Sequence, residues 1–161
     1  VLVLALGVMG CSDESDSGGG GNGGEVGFPE AEAAALEAAE EYLEAFNACG
    51  DGDGWEAWAA TLNYPHIRFD STGSVTVWDT PEEYLASVIC EGFRLLNPDW
   101  DHSTWDSVEI VQSGPDKVHI AILANRRDAE GNVLETFQTF HIMTHEDGHW
   151  GTLSRSSFAP Q

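Results

Sequence analysis

Tyr64, His66 and Arg68 place a phenol, an imidazole and a guanidinium at every second position of Leu62-Asn63-Tyr64-Pro65-His66-Ile67-Arg68-Phe69. An extended strand turns alternate side chains to one face, so these three share a side and Pro65, Ile67 and Phe69 take the other. Together they could donate to an oxyanion, carry a proton, and hold a carboxylate in the arginine fork. Arg155 could do the same from a small, polar C-terminal segment, and it is one of only six basic residues. His102 and Asp106 stand near the start of the later strands, with His119 and His141 further along. Trp78 and Trp105 offer apolar walls. The ordinary reading of Arg68 is an ion pair with one of 28 acidic residues.

Other chemistries lack their residues. There is no Ser-His-Asp set and no Gly-rich phosphate loop. No two of the six His fall at i, i+4 on a helix, and His141, His145 and His149 straddle a turn, so neither a metal nor a cofactor is expected. The formal net charge of -22 excludes nucleic acid as a partner, which needs a basic footprint, and argues against electrostatic docking on anionic lipid.

These residues need elements to position them. The 161 residues suit one domain with a real core. Pro29 to Ala48 reads as a helix, with Pro in the first turn and Leu36, Leu43, Phe46 and Ala39 near one stripe. Asp53 is placed to cap a short second helix carrying Trp55, Trp58 and Leu62. The strand at 64–69 turns through Ser71-Thr72-Gly73 and returns as Val75–Trp78. Thr80-Pro81-Glu82-Glu83 is a capping box for a helix expected to run to Leu96, burying Tyr84, Leu85, Val88, Ile89, Phe93 and Leu96. From Trp100 the period becomes two, in the runs Ser103–Gln112, Lys117–Arg127, Val133–Thr144 and His149–Phe158, joined by turn-formers. The fold class is α+β, with about three N-terminal helices on one face of a curved antiparallel sheet. Parity groups His119 with Ala121 and Leu123, and His141 with Phe137, Thr139 and Met143. Both faces are partly apolar, and which one lines the interior stays open.

Residues 1–11 form an apolar run ending at Cys11, too short to span a bilayer and similar to the end of a secretory signal. Val8-Met9-Gly10-Cys11 resembles a bacterial lipobox, which implies lipid on Cys11 and an exported protein anchored at the cell envelope. Residues 12–28, acidic and Gly-rich, read as a flexible tether, and 29–160 as the folded domain. Cys49 and Cys90 then remain, as a disulfide or as two buried thiols.

The order helix, short helix, strand pair, helix and four long strands resembles the nuclear transport factor 2-like superfamily and its SnoaL-like branch. The phrases Val-Trp-Asp-Thr-Pro-Glu-Glu-Tyr, Trp-Asp-His-Ser and Arg-Ser-Ser-Phe-Ala-Pro, with the 62–69 stretch, are similar to an uncharacterised bacterial group within it. The resemblance implies a conical barrel open at one end, often dimerising through its sheet, and no single reaction. The pocket candidates are therefore Tyr64, His66, Arg68, Trp78, His102, Asp106, His141 and Arg155. The expected function is a small-molecule-binding, non-catalytic lipoprotein. The alternatives are a dehydratase, isomerase or cyclase using His66 or His102 as base, and a homodimeric interaction module.

Overall fold

The computed structural model describes residues 27–87 and 89–159. The expected signal run, Cys11 and most of the tether lie outside them. Helix α1 (Pro29–Asn47) starts on a proline, with Glu30 and Glu32 in its first turn complementing the helix dipole. The face it buries is Ala31, Ala35, Ala38, Ala39 and Tyr42, so of the expected stripe Ala39 is buried while Leu36, Leu43 and Phe46 are only partly so. Small residues let the helix lie close on the sheet, against Val118, Ile120, Ile122, Ala124, Phe137 and Met143. Leu36 packs at the margin of this cluster.

Helix α2 (Gly54–Ala60) has Asp53 at its cap position, but the Asp53 side chain makes no capping hydrogen bond. Strands β1 (Leu62–Phe69) and β2 (Val75–Trp78) pair antiparallel. The capping box forms at α3 (Pro81–Ala86): the Thr80 hydroxyl accepts from the Glu83 N–H at 3.3 Å, and the Glu83 carboxylate accepts from the Asp79 N–H at 2.9 Å. The expected single helix to Leu96 is two. The Ser87 N–H and hydroxyl both donate to the Tyr84 carbonyl, closing the last turn of α3, and α4 (Ile89–Leu96) follows. A serine that bonds the backbone locally competes with helix continuation. Leu96, expected in the core, is exposed.

Strands β3 (His102–Gly114), β4 (Lys117–Arg127), β5 (Val133–Glu146) and β6 (His149–Ser157) form the meander. Asp147 and Gly148 both have positive φ, 52° and 84°, the backbone that a two-residue hairpin of type I′ needs and Asp-Gly supplies. The six strands make one curved, unclosed sheet in the order β2-β1-β6-β5-β4-β3, with β1 parallel to β6 and every other pair antiparallel. A second cluster joins Tyr42, Trp58, Leu62, Trp78 and Tyr84 with Cys49 and Cys90. These two cysteines are disulfide-bonded, tying the loop after α1 to α4.

Candidate functional site

The strand register builds the site. Thr76 of β2 faces Arg68 of β1, Arg68 faces Arg155 of β6, Arg155 faces His141 of β5, and His141 faces Ile120 of β4. Ile120 belongs to the helix-covered core, so this row lies on the inner face of the sheet. One step along β1, His66 faces Trp78. The sheet thus carries two arginines and two histidines to one interior region, from three strands that only the tertiary fold brings together.

The environment decides what these groups can do. His66 and His141 are each 1% exposed. The His66 ring stacks on Trp78 with centroids 5.9 Å apart, and its Nδ1 lies 3.0 Å from the Thr152 carbonyl oxygen. That oxygen only accepts, so the proton sits on Nδ1. Burial holds the His66 pKa at about 4, with Arg68 and Arg155 adding to the depression. His141 is held well below its ordinary value by burial first, and then by Arg155, His66 and Arg68. Burial also lowers Arg68, with Arg155 contributing, and pushes the Tyr84 phenol well up against the pull of both arginines. At neutral pH the interior therefore holds two cations, two neutral imidazoles and a neutral phenol.

His141 meets Tyr42 edge-on at 5.1 Å and Trp105 edge-on at 6.0 Å. Its Nδ1 is buried and has no hydrogen-bond partner among the described residues. A cavity of about 20 Å³ opens between Tyr42, Phe46, Trp105, Phe137, His141 and Arg155. That is room for one water-sized group. Leu43, Phe46, Trp105 and Arg155 line it and are only partly buried, so they form its rim toward solvent.

The remaining expected site residues distribute unevenly. Tyr64 packs near Tyr84, but its hydroxyl donates to the Ala59 carbonyl at 3.0 Å and offers nothing to the cavity. Its phenol is raised to about 12 by burial and by Glu82. Trp78 stacks on His66 within the second core cluster and does not line the cavity. His102 and Asp106 are outside: His102 pairs with Asp101 at 2.9 Å, and Asp106 lies 3.7 Å from Arg127. Ser103 and Trp105 of the same strand line the cavity, so alternation turns His102 to the other face, and Asp106 falls in the register shift between Trp105 and Ser107. Val118, Ile120 and Ile122 face the helix, so His119 points to the other side, edge-on to Phe140 at 5.6 Å. Tyr42 and Thr139 line the cavity and were not expected there. The spacing Ala35, Ala39, Tyr42 along α1 was the available signal for Tyr42. A larger recess of about 380 Å³ lies on the outer face of the sheet, lined by Glu109, Leu123, Gln138, Phe140, Ser156 and Phe158 among others.

The family described as NTF2-like protein (DUF6841) matches residues 31–157. No curated protein matches the sequence. An NTF2-like protein of unknown function from Shewanella oneidensis is 13% identical with a TM-score of 0.56, covering 78% of this chain and 97% of that one. A cystatin-like-fold protein of unknown function from Nostoc punctiforme is 15% identical at a TM-score of 0.58, covering 78% and 88%. A ketosteroid isomerase-like protein from Erwinia carotovora is 21% identical at a TM-score of 0.56, covering 83% and 100%. At these identities the likeness speaks to fold alone.

Proposed function

This chain belongs to the NTF2-like family (DUF6841), and from that premise we propose that it is a binding module that holds a small molecule inside the cone. The observation that carries the reading is His141: a polar nitrogen buried at the cavity wall with no partner among the described residues. Buried polar atoms are nearly always hydrogen-bonded, and one left open at a cavity is accounted for by a ligand or a water that completes it. Anything larger than a water requires Leu43 and Phe46 at the rim to swing aside.

The histidine chemistry supports binding over catalysis. A general base works best with a pKa near the operating pH, whereas His66 is held at about 4 and His102 lies outside the cone. A thermal-shift screen of the full chain against a chemically diverse small-molecule library tests the reading. A true ligand at a hundred times its Kd should add about 2.7 kcal/mol of stability. His141→Phe should remove that response. If no compound stabilises the protein, the binding reading fails. Turnover of any screened compound, lost in His66→Ala, would favour the dehydratase, isomerase or cyclase alternative.

We further propose that the domain is displayed at the bacterial cell envelope by lipid on Cys11. The apolar run, the Gly-rich segment and a Cys49–Cys90 disulfide suited to an oxidising compartment support this. Cys11→Ser should release the protein from the membrane fraction, and unchanged fractionation would refute the anchor. The outer recess, together with exposed Phe69, Val75, Val77 and Phe158, favours a homodimer through the sheet. Light scattering should then give twice the monomer mass, falling to one in Phe140→Asp. A monomer at high concentration removes the dimer.

A further inference from the structure

We infer that the cone selects an anion, specifically a carboxylate carried on an apolar body, and that Arg155 takes it at the cavity, with Arg68 beside it on the adjacent strand. This rests on the small-molecule reading above and names the class of molecule. Arg68 and Arg155 are register partners on adjacent strands of the inner face. Among the described residues no acid pairs with either of them: the acids in ion pairs are Asp101, Asp106, Asp116 and Glu135, all engaged elsewhere. In a chain with 28 acidic and six basic side chains, an interior holding two arginines and no counter-acid is the reverse of the chain's composition.

Arg126 shows what a structural arginine looks like here. It donates to Glu135 at 2.6 Å and to Asn97 at 2.9 Å, with its guanidinium over Phe93. Arg155 is held only by neutral acceptors, from Nε to the Thr139 hydroxyl at 3.3 Å and from Nη2 to the Ser157 hydroxyl at 3.2 Å. Those two bonds fix the plane of its fork and leave Nη1 open, and the fork geometry matches a carboxylate. The neutral His141 beside it supplies Nδ1 as a further donor or acceptor. Tyr42, Phe46, Trp105 and Phe137 enclose the same space, and they suit an apolar body behind the charged head. The free volume of about 20 Å³ admits only a compact head, so the body must extend past the partly buried Leu43 and Phe46. Like charges on adjacent strands repel, and an anion bound at Arg155 offsets that repulsion while it gains a charge-assisted contact.

The test pairs benzoate, phenylacetate and hexanoate with benzamide, phenylacetamide and hexanamide, titrated into the full chain in a chloride-free zwitterionic buffer. Thermal shift and the ¹⁵N resonances of the arginine Nε–H groups are read together. The carboxylates should raise Tm and move two Nε–H signals, those absent in Arg68→Met and Arg155→Met, while the amides bind at least tenfold more weakly. Arg155→Lys, which keeps the charge and loses the fork, covers the case in which a methionine variant fails to fold, and it should weaken binding severalfold. Arg127→Met, at the sheet margin, should bind as the parent does. Amides binding as tightly as carboxylates, or neutral library compounds binding while no carboxylate does, would overturn the anion inference and leave the cone a binding site. Silence from both series and from the library would overturn both.

Discussion

His66 sits 3.0 Å from the Thr152 carbonyl and flat against Trp78, with its pKa at about 4 instead of 6.5. The groups bearing on it are Arg68, Arg155, His141 and Tyr84, none of them anionic at neutral pH. The unfolded chain takes up a proton at His66 as pH falls through about 6.5, and the folded chain declines it until about 4. The stability contributed by the neutral buried ring is therefore complete above 6.5 and is lost as pH drops toward 4, on the order of 3 kcal/mol over that window. His141, shifted the same way, adds to the loss. Protonating surface carboxylates lowers the repulsion of the acidic surface and acts oppositely, so the readout is a difference. In urea melts at pH 7 and pH 4.5, His66→Gln should lose less stability on acidification than the parent. Equal losses would mean that His66 is not held neutral.

At the scale of elements, the contact that sets the cone's depth is α1 on the sheet. Ala35 and Ala39 are completely buried there, against strand residues that include Ile120. A helix lying this close has no room for a branched side chain. Ala35→Leu should destabilise the fold by about 1–3 kcal/mol through overpacking, measured as a lower urea midpoint with unchanged slope. A neutral or stabilising result would reveal slack under α1. The sequence carried the local signals well. Thr80 and Glu83 cap α3, Asp147-Gly148 make the hairpin, and the alternation on β4 and β5 correctly separates His119 from Val118 and Ile120, and Phe140 from His141. It did not carry the close α1 contact, because alanines read as helix formers and not as a packing face. Nor did it disclose that β1 runs parallel to β6, a pairing between segments more than eighty residues apart. That pairing sets Arg68 beside Arg155. His102 and Asp106 were misplaced for a different reason: their types suited a site, but they alternate with Ser103 and Trp105, which reach the cavity, and a register shift interrupts β3 at Asp106.

The whole molecule is held by two long-range constraints of opposite sign. The Cys49–Cys90 bond spans a sequence separation of 41 and ties α4, whose Phe93 meets Phe46 and Trp100, to the loop after α1. Closing a loop of that length stabilises by about 4 kcal/mol in chain-entropy terms. Reduction with dithiothreitol should lower Tm accordingly, and Cys49→Ala/Cys90→Ala should be insensitive to the reductant. Against this works a formal charge of -22. Like charges spread over a small surface destabilise the compact state, and salt shortens the range of that repulsion from about 30 Å at 0.01 M to 3 Å at 1 M. Tm should therefore climb steadily with sodium chloride. Chloride could also stabilise by binding at Arg155 beside Arg68, which would mimic screening. The two causes separate in Arg155→Met: screening of the acidic surface persists there, whereas a gain from anion binding disappears. A slope unchanged by the substitution assigns the salt effect to the surface, and a slope that collapses assigns it to the arginine pair.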